Sequence, residues 1–234
     1  PKSHHKYPIN DFCLIPRYAL LDPQITCSLP PALTASTGMD ALTHAVEAYI
    51  GRSTTKQTRE DALEAVSLIF ENLQTAFHDG ADLEARKNML HAAYLAGSAF
   101  TVSYVGYVHA VAHSLGGRYG TPPGLANAVL LPYVLEAYGK AAHRKLLDLA
   151  VAAGLCDETA SPKEGAALFI QAIKDMKQEF GLKDSAIRVY GKDVPRLAYF
   201  AAQEANPLYP VPRLFSRREL EQFYRPFVKE VIDA

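Results

Sequence analysis

Ala35-Ser36-Thr37-Gly38-Met39-Asp40-Ala41-Leu42-Thr43-His44-Ala45-Val46-Glu47-Ala48-Tyr49 is the stretch that decides how this chain is read. Met39, Leu42, Val46 and Ile50 recur at spacings of three and four, the period of a helix, with Ser36 or Thr37 as its expected N-cap. Asp40 and His44, four apart, then leave the same face of that helix. A second pair with this spacing, His109 and His113, lies in another apolar segment. Two helices carrying such pairs can offer ligands to one cavity. A carboxylate with imidazoles suits Fe(II), Zn(II), Mn(II) or Ni(II) better than Ca(II), because hard cations bind nitrogen donors poorly. Taken alone, either His44 or His109 could equally be a core histidine satisfied by a neighbour.

Outward from this stretch the helical period persists. Residues 1–36, rich in proline, read as a lead-in with one short strand at Tyr18–Leu21. Helices are expected from about Thr55 to His78, after Asp82, around His109 up to Gly116-Gly117, and from Pro123-Gly124 to Tyr138. Others are expected over Ala141–Ala153, Pro162–Phe180, Val194–Ala205 and Ser216–Ile232. Period-two alternation is almost absent after residue 36. The fold class is therefore mainly α, with seven or eight helices joined by short turns in residues 37–234.

Composition narrows the function classes. The 234 residues are 49% hydrophobic and 21% charged, enough for a sizeable core. The formal net charge of -1 provides no field for a phosphate backbone, so no nucleic-acid partner is expected. The apolar runs are far shorter than a bilayer span, so no membrane segment is expected. Cys13, Cys27 and Cys156 form no metal-finger spacing and read as reduced thiols, which points to the cytoplasm. Pro1-Lys2-Ser3-His4-His5-Lys6-Tyr7 has neither an initiator Met nor a signal-peptide pattern and reads as a cut edge, with a larger protein as one expectation. The turn from Gly116 to Gly124 lacks the glycine spacing and the Lys-Ser/Thr of a phosphate loop, and no GxSxG or HExxH motif appears.

The stretch from Ala35 to Tyr49, followed by Val108-His109-Ala110-Val111-Ala112-His113-Ser114-Leu115-Gly116 and Gly124-Leu125-Ala126-Asn127-Ala128-Val129-Leu130-Leu131-Pro132, closely resembles the iron-containing (group III) alcohol dehydrogenases. The resemblance covers nearly the whole chain. It implies the helical C-terminal domain of a dehydroquinate synthase-like, iron-dependent alcohol dehydrogenase fold, with residues 1–36 leading in from a nucleotide-binding domain. By the same resemblance Asp40, His44 and His109 match metal ligands, and His113 matches a catalytic histidine near the nicotinamide and substrate. Lys6, Thr26 and Leu33 align with positions that line the cofactor cleft.

The implied cofactors are a divalent metal, Fe2+ ahead of Zn2+, and NAD or NADP bound mainly through the N-terminal domain. The implied partners are a small alcohol or aldehyde substrate and a second copy of the chain in a homodimer. One departure stands out. Pro123 occupies the place where the family usually has its fourth ligand, in a Thr-Pro-His-Gly turn. The family's phosphate-binding Gly-Gly-Gly-Ser segment is also absent from this sequence. These two features support a second expectation, a degenerate, non-catalytic helical domain that has lost full metal binding.

Overall fold

The computed structural model describes residues 11–229. Lys6 lies outside the described residues. Among the described residues nine α-helices carry the fold: α1 (Pro31–Ile50), α2 (Lys56–His78), α3 (Leu83–Ser103), α4 (Tyr107–Tyr119), α5 (Pro123–Tyr138), α6 (His143–Ala152), α7 (Pro162–Glu179), α8 (Val194–Ala205) and α9 (Arg217–Glu221). Two short strands, β1 (Val189–Tyr190) and β2 (Val228–Lys229), pair in parallel. Among the described residues no single helix is long and apolar enough to cross a membrane.

The helix termini follow side-chain chemistry. Thr55, Ser161 and Ser216 each close a capping box with the residue three positions on, and the Asp82 carboxylate accepts from the Ala85 N–H. Gly120 ends α4 at φ 68°, a conformation glycine adopts without a Cβ clash.

Helix α1 is the centre of the molecule. It packs on α2, α3 and α5, and is buried around most of its circumference, including Met39, Leu42, Val46 and Ile50. At Gly38 a Cβ would stand 2.3 Å from Leu73 Cδ1, so the missing side chain lets α1 and α2 close together. Helix α4 lies against α5 and α8, while α6 and α7 form an adjoining hairpin. The buried guanidinium of Arg86 ties the lead-in to this frame, donating to Gly80 O, to Thr34 Oγ1 and to Leu29 O.

Four expectations need correction. Helix α1 begins at Pro31, earlier than a Ser36 or Thr37 cap would place it. Proline is preorganised for the first helical position, and the Ser36 and Thr37 hydroxyls instead bond back to Leu33 O. Tyr18–Leu21 forms no strand. Its Tyr18 and Leu20 are 88% and 96% exposed, and no neighbouring strand among the described residues takes up its backbone groups. Helix α4 passes through Gly116-Gly117 to Tyr119, because its end is set by the left-handed Gly120. The expected helix from Ser216 stops at Glu221, ahead of Pro226, and the chain turns into β2.

Candidate metal centre

Asp40 and His44 rise from the middle of α1, and His109 from the first turn of α4. Each of the three offers one ligand atom, and these atoms all lie within 4.8 Å of one another. His113, one turn further along α4, stands outside this group. Its ring packs edge-on against His109 with centroids 5.9 Å apart.

The surroundings prepare the three side chains as ligands. The His44 ring is sandwiched between Phe100 of α3 and His109, with centroids at 4.4 Å and 4.5 Å. Burial, followed by the nearby imidazoles of His109 and His113, holds the pKa of His44 well below the ordinary histidine value. A neutral ring keeps a lone pair available for a metal. The Asp40 carboxylate receives a 2.6 Å hydrogen bond from Asn127 Nδ2 at its Oδ1.

His109 is fixed by Glu47, which is only 3% exposed. One oxygen of Glu47 lies 2.6 Å from His109 Nδ1 and also accepts from Gly106 N, while the other accepts from Val108 N. A carboxylate at Nδ1 assigns the proton to that nitrogen and turns the Nε2 lone pair the other way. That Nε2 is buried and has no hydrogen-bond partner. A buried polar atom without a partner is costly, and a cation between the three side chains would satisfy it. The donor set and this orphaned nitrogen together fit a divalent metal.

The backbone is shaped around the same carboxylate. The chain bends by 100° between α3 and α4 through Tyr104, which has a φ of 65° that a tyrosine adopts at a cost. A Cβ on Gly106 would come within 2.6 Å of Glu47 Oε1, so only glycine allows the first N–H groups of α4 to reach it.

The start of α5 completes the surroundings. A Cβ on Gly124 would fall 2.4 Å from Ser36 O, so the first turn of α5 touches the backbone of α1 one turn before Asp40. Pro123 is the first residue of α5, four positions before Asn127 and on the same helix face. It brings no donor atom.

The remaining expected residues lie elsewhere. The Thr26 hydroxyl donates to Pro23 O, and its side chain lines a cavity of about 120 Å³ with Thr34, Thr37 and Arg86. Leu33 is 44% exposed on the first turn of α1. Neither Thr26 nor Leu33 belongs to the three-ligand group. Sequence reasoning passed over Glu47, Asn127, Phe100 and Glu204. Glu47 did carry a signal, a lone carboxylate in an otherwise apolar run three residues after His44.

Comparison with known proteins gives a consistent result. Residues 34–228 match the Fe-containing alcohol dehydrogenase family, C-terminal. The 1,3-propanediol dehydrogenase of Citrobacter freundii is 38% identical over 226 residues, covering 96% of this chain and 58% of that protein. Alcohol dehydrogenase 4 of Saccharomyces cerevisiae is 41% identical over 202 residues, covering 86% and 52%. A crystal structure of a 1,3-propanediol oxidoreductase superposes with a TM-score of 0.82 at 39% identity, covering 88% of this chain and 54% of the other. The chain thus spans somewhat more than half the length of each of these relatives.

Proposed function

The chain belongs to the Fe-containing alcohol dehydrogenase family, whose C-terminal part it carries, and on that premise we propose that it is the metal-holding half of an NAD(P)-linked alcohol dehydrogenase. The observation that carries this reading is the meeting of Asp40, His44 and His109, with the buried Nε2 of His109 left unpartnered.

Asp40, His44 and His109 would hold a divalent ion, Fe2+ or Zn2+. Bound there, it would supply a Lewis acid that lowers the pKa of an alcohol or polarises the carbonyl of an aldehyde. Phe100 and His109 clamp the His44 ring in place, and Glu47 fixes the His109 tautomer, so two of the ligands need little reordering to bind. His113, one turn beyond His109, would face the reacting groups as a proton carrier. Lys6, Thr26 and Leu33 would contribute this chain's edge of the nicotinamide cleft. We assign the rest of that cleft to the portion of the relatives that this chain does not span, with the residues before α1 leading into the helical unit. Small primary alcohols and diols are the substrate class, in a cytoplasmic homodimer.

Pro123 favours a second reading, a helical domain whose weakened site no longer turns over. One experiment separates the two. Elemental analysis of the purified chain and its His109→Ala variant measures bound metal, and nicotinamide absorbance during oxidation of 1,3-propanediol by the protein that contains the chain measures turnover. Metal bound by the parent and lost in the variant, together with turnover, supports the enzyme. Metal-free parent protein without turnover supports the degenerate domain.

A further inference from the structure

Glu204, near the end of α8, has no place in the three-ligand group, yet it is a carboxylate with a side chain only 7% exposed. Its Oε1 receives two hydrogen bonds, from His113 Nδ1 at 2.8 Å and from the Tyr209 hydroxyl at 2.7 Å. The His113 ring makes no other hydrogen bond among the described residues, so the Glu204 contact fixes it. The arrangement repeats that of Glu47 on His109, where a buried carboxylate at Nδ1 turns Nε2 the other way.

The two imidazoles nevertheless have different surroundings. His109 shares the ligand group with Asp40 and His44, whereas His113 remains beside it with its ring 67° from that of His109. Among the described residues His113 packs its ring against a ligand without being one itself. With Pro123 supplying no donor, it is also the natural candidate to swing in as a fourth.

We propose that Glu204 is a positioning residue which, braced by Tyr209, holds His113 out of the metal's ligand set and keeps its Nε2 available to the cleft. This rests on the metal-centre reading above. The consequence is a division of labour along α4: the same residue type, four positions apart, serves once as ligand and once as a free base, according to which carboxylate grips it.

The test uses the 234-residue chain. In the metal-free protein, long-range proton–nitrogen NMR reads the His113 tautomer. Cobalt(II) added to the same protein reports ligand number through its visible absorption. The Nδ1–H tautomer is expected in the parent and in Glu204→Gln, whose amide oxygen can still accept from Nδ1. Glu204→Ala is expected to free the ring, alter the cobalt bands as a further nitrogen enters, and tighten cobalt binding on the order of tenfold, equivalent to about 1.4 kcal/mol. Tyr209→Phe, which leaves the carboxylate in place, is expected to shift the tautomer population partway and to retain the fold if Glu204→Ala does not.

An Nε2–H tautomer in the parent overturns the proposal. Cobalt spectra and affinity unchanged in Glu204→Ala also overturn it. Failure of the parent to bind cobalt would instead sink the metal-centre reading, and the tautomer measurement would still decide whether Glu204 positions His113.

Discussion

Glu47 and His109, 62 positions apart in sequence, meet at 2.6 Å through a carboxylate that also receives the N–H groups of Gly106 and Val108. One side chain of α1 therefore sets both where α4 begins and how its histidine is turned. Glu47→Gln should keep the fold, because the amide can still accept from part of this set. It should weaken metal binding by roughly 10- to 100-fold, the usual effect of losing a ligand's hydrogen-bond partner. Glu47→Ala should in addition lower stability by about 1–3 kcal/mol, since it leaves buried donors unpaired. Metal titration and urea unfolding of the two variants check both effects.

Pro123 stands one helical turn before Asn127, which bonds Asp40. Pro123→His should add a ligand and tighten metal binding by on the order of tenfold or more, equivalent to about 1.4 kcal/mol. Equal tight occupancy of parent and variant in competitive chelator titrations would show that three ligands already suffice.

Gly124 has no room for a methyl group, which would press on Ser36 O and on the carbonyl carbon behind it. Both are backbone atoms of α1 and cannot swing aside as a side chain could. Gly124→Ala should cost about 1–3 kcal/mol, as overpacking does. It should also loosen metal binding by displacing α5 from Asp40, whereas Gly97→Ala, where a Cβ meets nothing within 4 Å, should do neither. Thermal unfolding with and without metal measures both.

The pH dependence of stability should be visible at Tyr133, Asp184 and Lys177. The Tyr133 hydroxyl and Lys177 Nζ each reach Asp184 at 2.6 Å. Burial, then the hydrogen bond and charge of Asp184, raise Tyr133 from 10.0 to about 12. Its contribution to stability is therefore complete below pH 10 and is lost as the pH rises through about 12. Asp184 behaves in the opposite sense. Burial would raise its pKa, but the hydrogen bonds from Lys177 and Tyr133 outweigh this and hold it below 3.8. Its contribution is present above 3.8 and is lost as the pH falls through the lowered value. Unfolding midpoints should fall less steeply between pH 10 and 12 in Tyr133→Phe than in the parent.

Much of the helical frame was legible because caps and periodicity are local. Thr55, Asp82, Ser161 and Ser216 each announce a helix start within four residues, and α8 runs from Val194 to Ala205 as its spacing suggests. The residue pairs at Asp40/His44 and His109/His113 were legible for the same reason, since helical spacing alone puts each pair on one face. What joins the pairs was not legible. Glu47 on His109, Asn127 on Asp40 and Glu204 on His113 are contacts between distant segments, which depend on how helices cross. The start of α1 at Pro31 was missed because Ser36 and Thr37 resemble caps, though their hydroxyls bond backward within a helix already begun. The strand expected at Tyr18–Leu21 rested on side-chain type, whereas a strand exists only where a second one accepts its hydrogen bonds.

The bend through Tyr104 and Gly106 sets a limit on how this chain can vary. An insertion there would push the amide groups of α4 past the Glu47 carboxylate and carry His109 with them, so segment length at 104–106 is fixed as firmly as any side chain in the centre. The turn at residues 153–161, between α6 and α7, carries no such constraint from the ligand group. Variation in loop length among relatives should therefore gather at the second place and avoid the first, making the spacing between the two ligand helices a ruler by which a functioning centre can be told from a lapsed one.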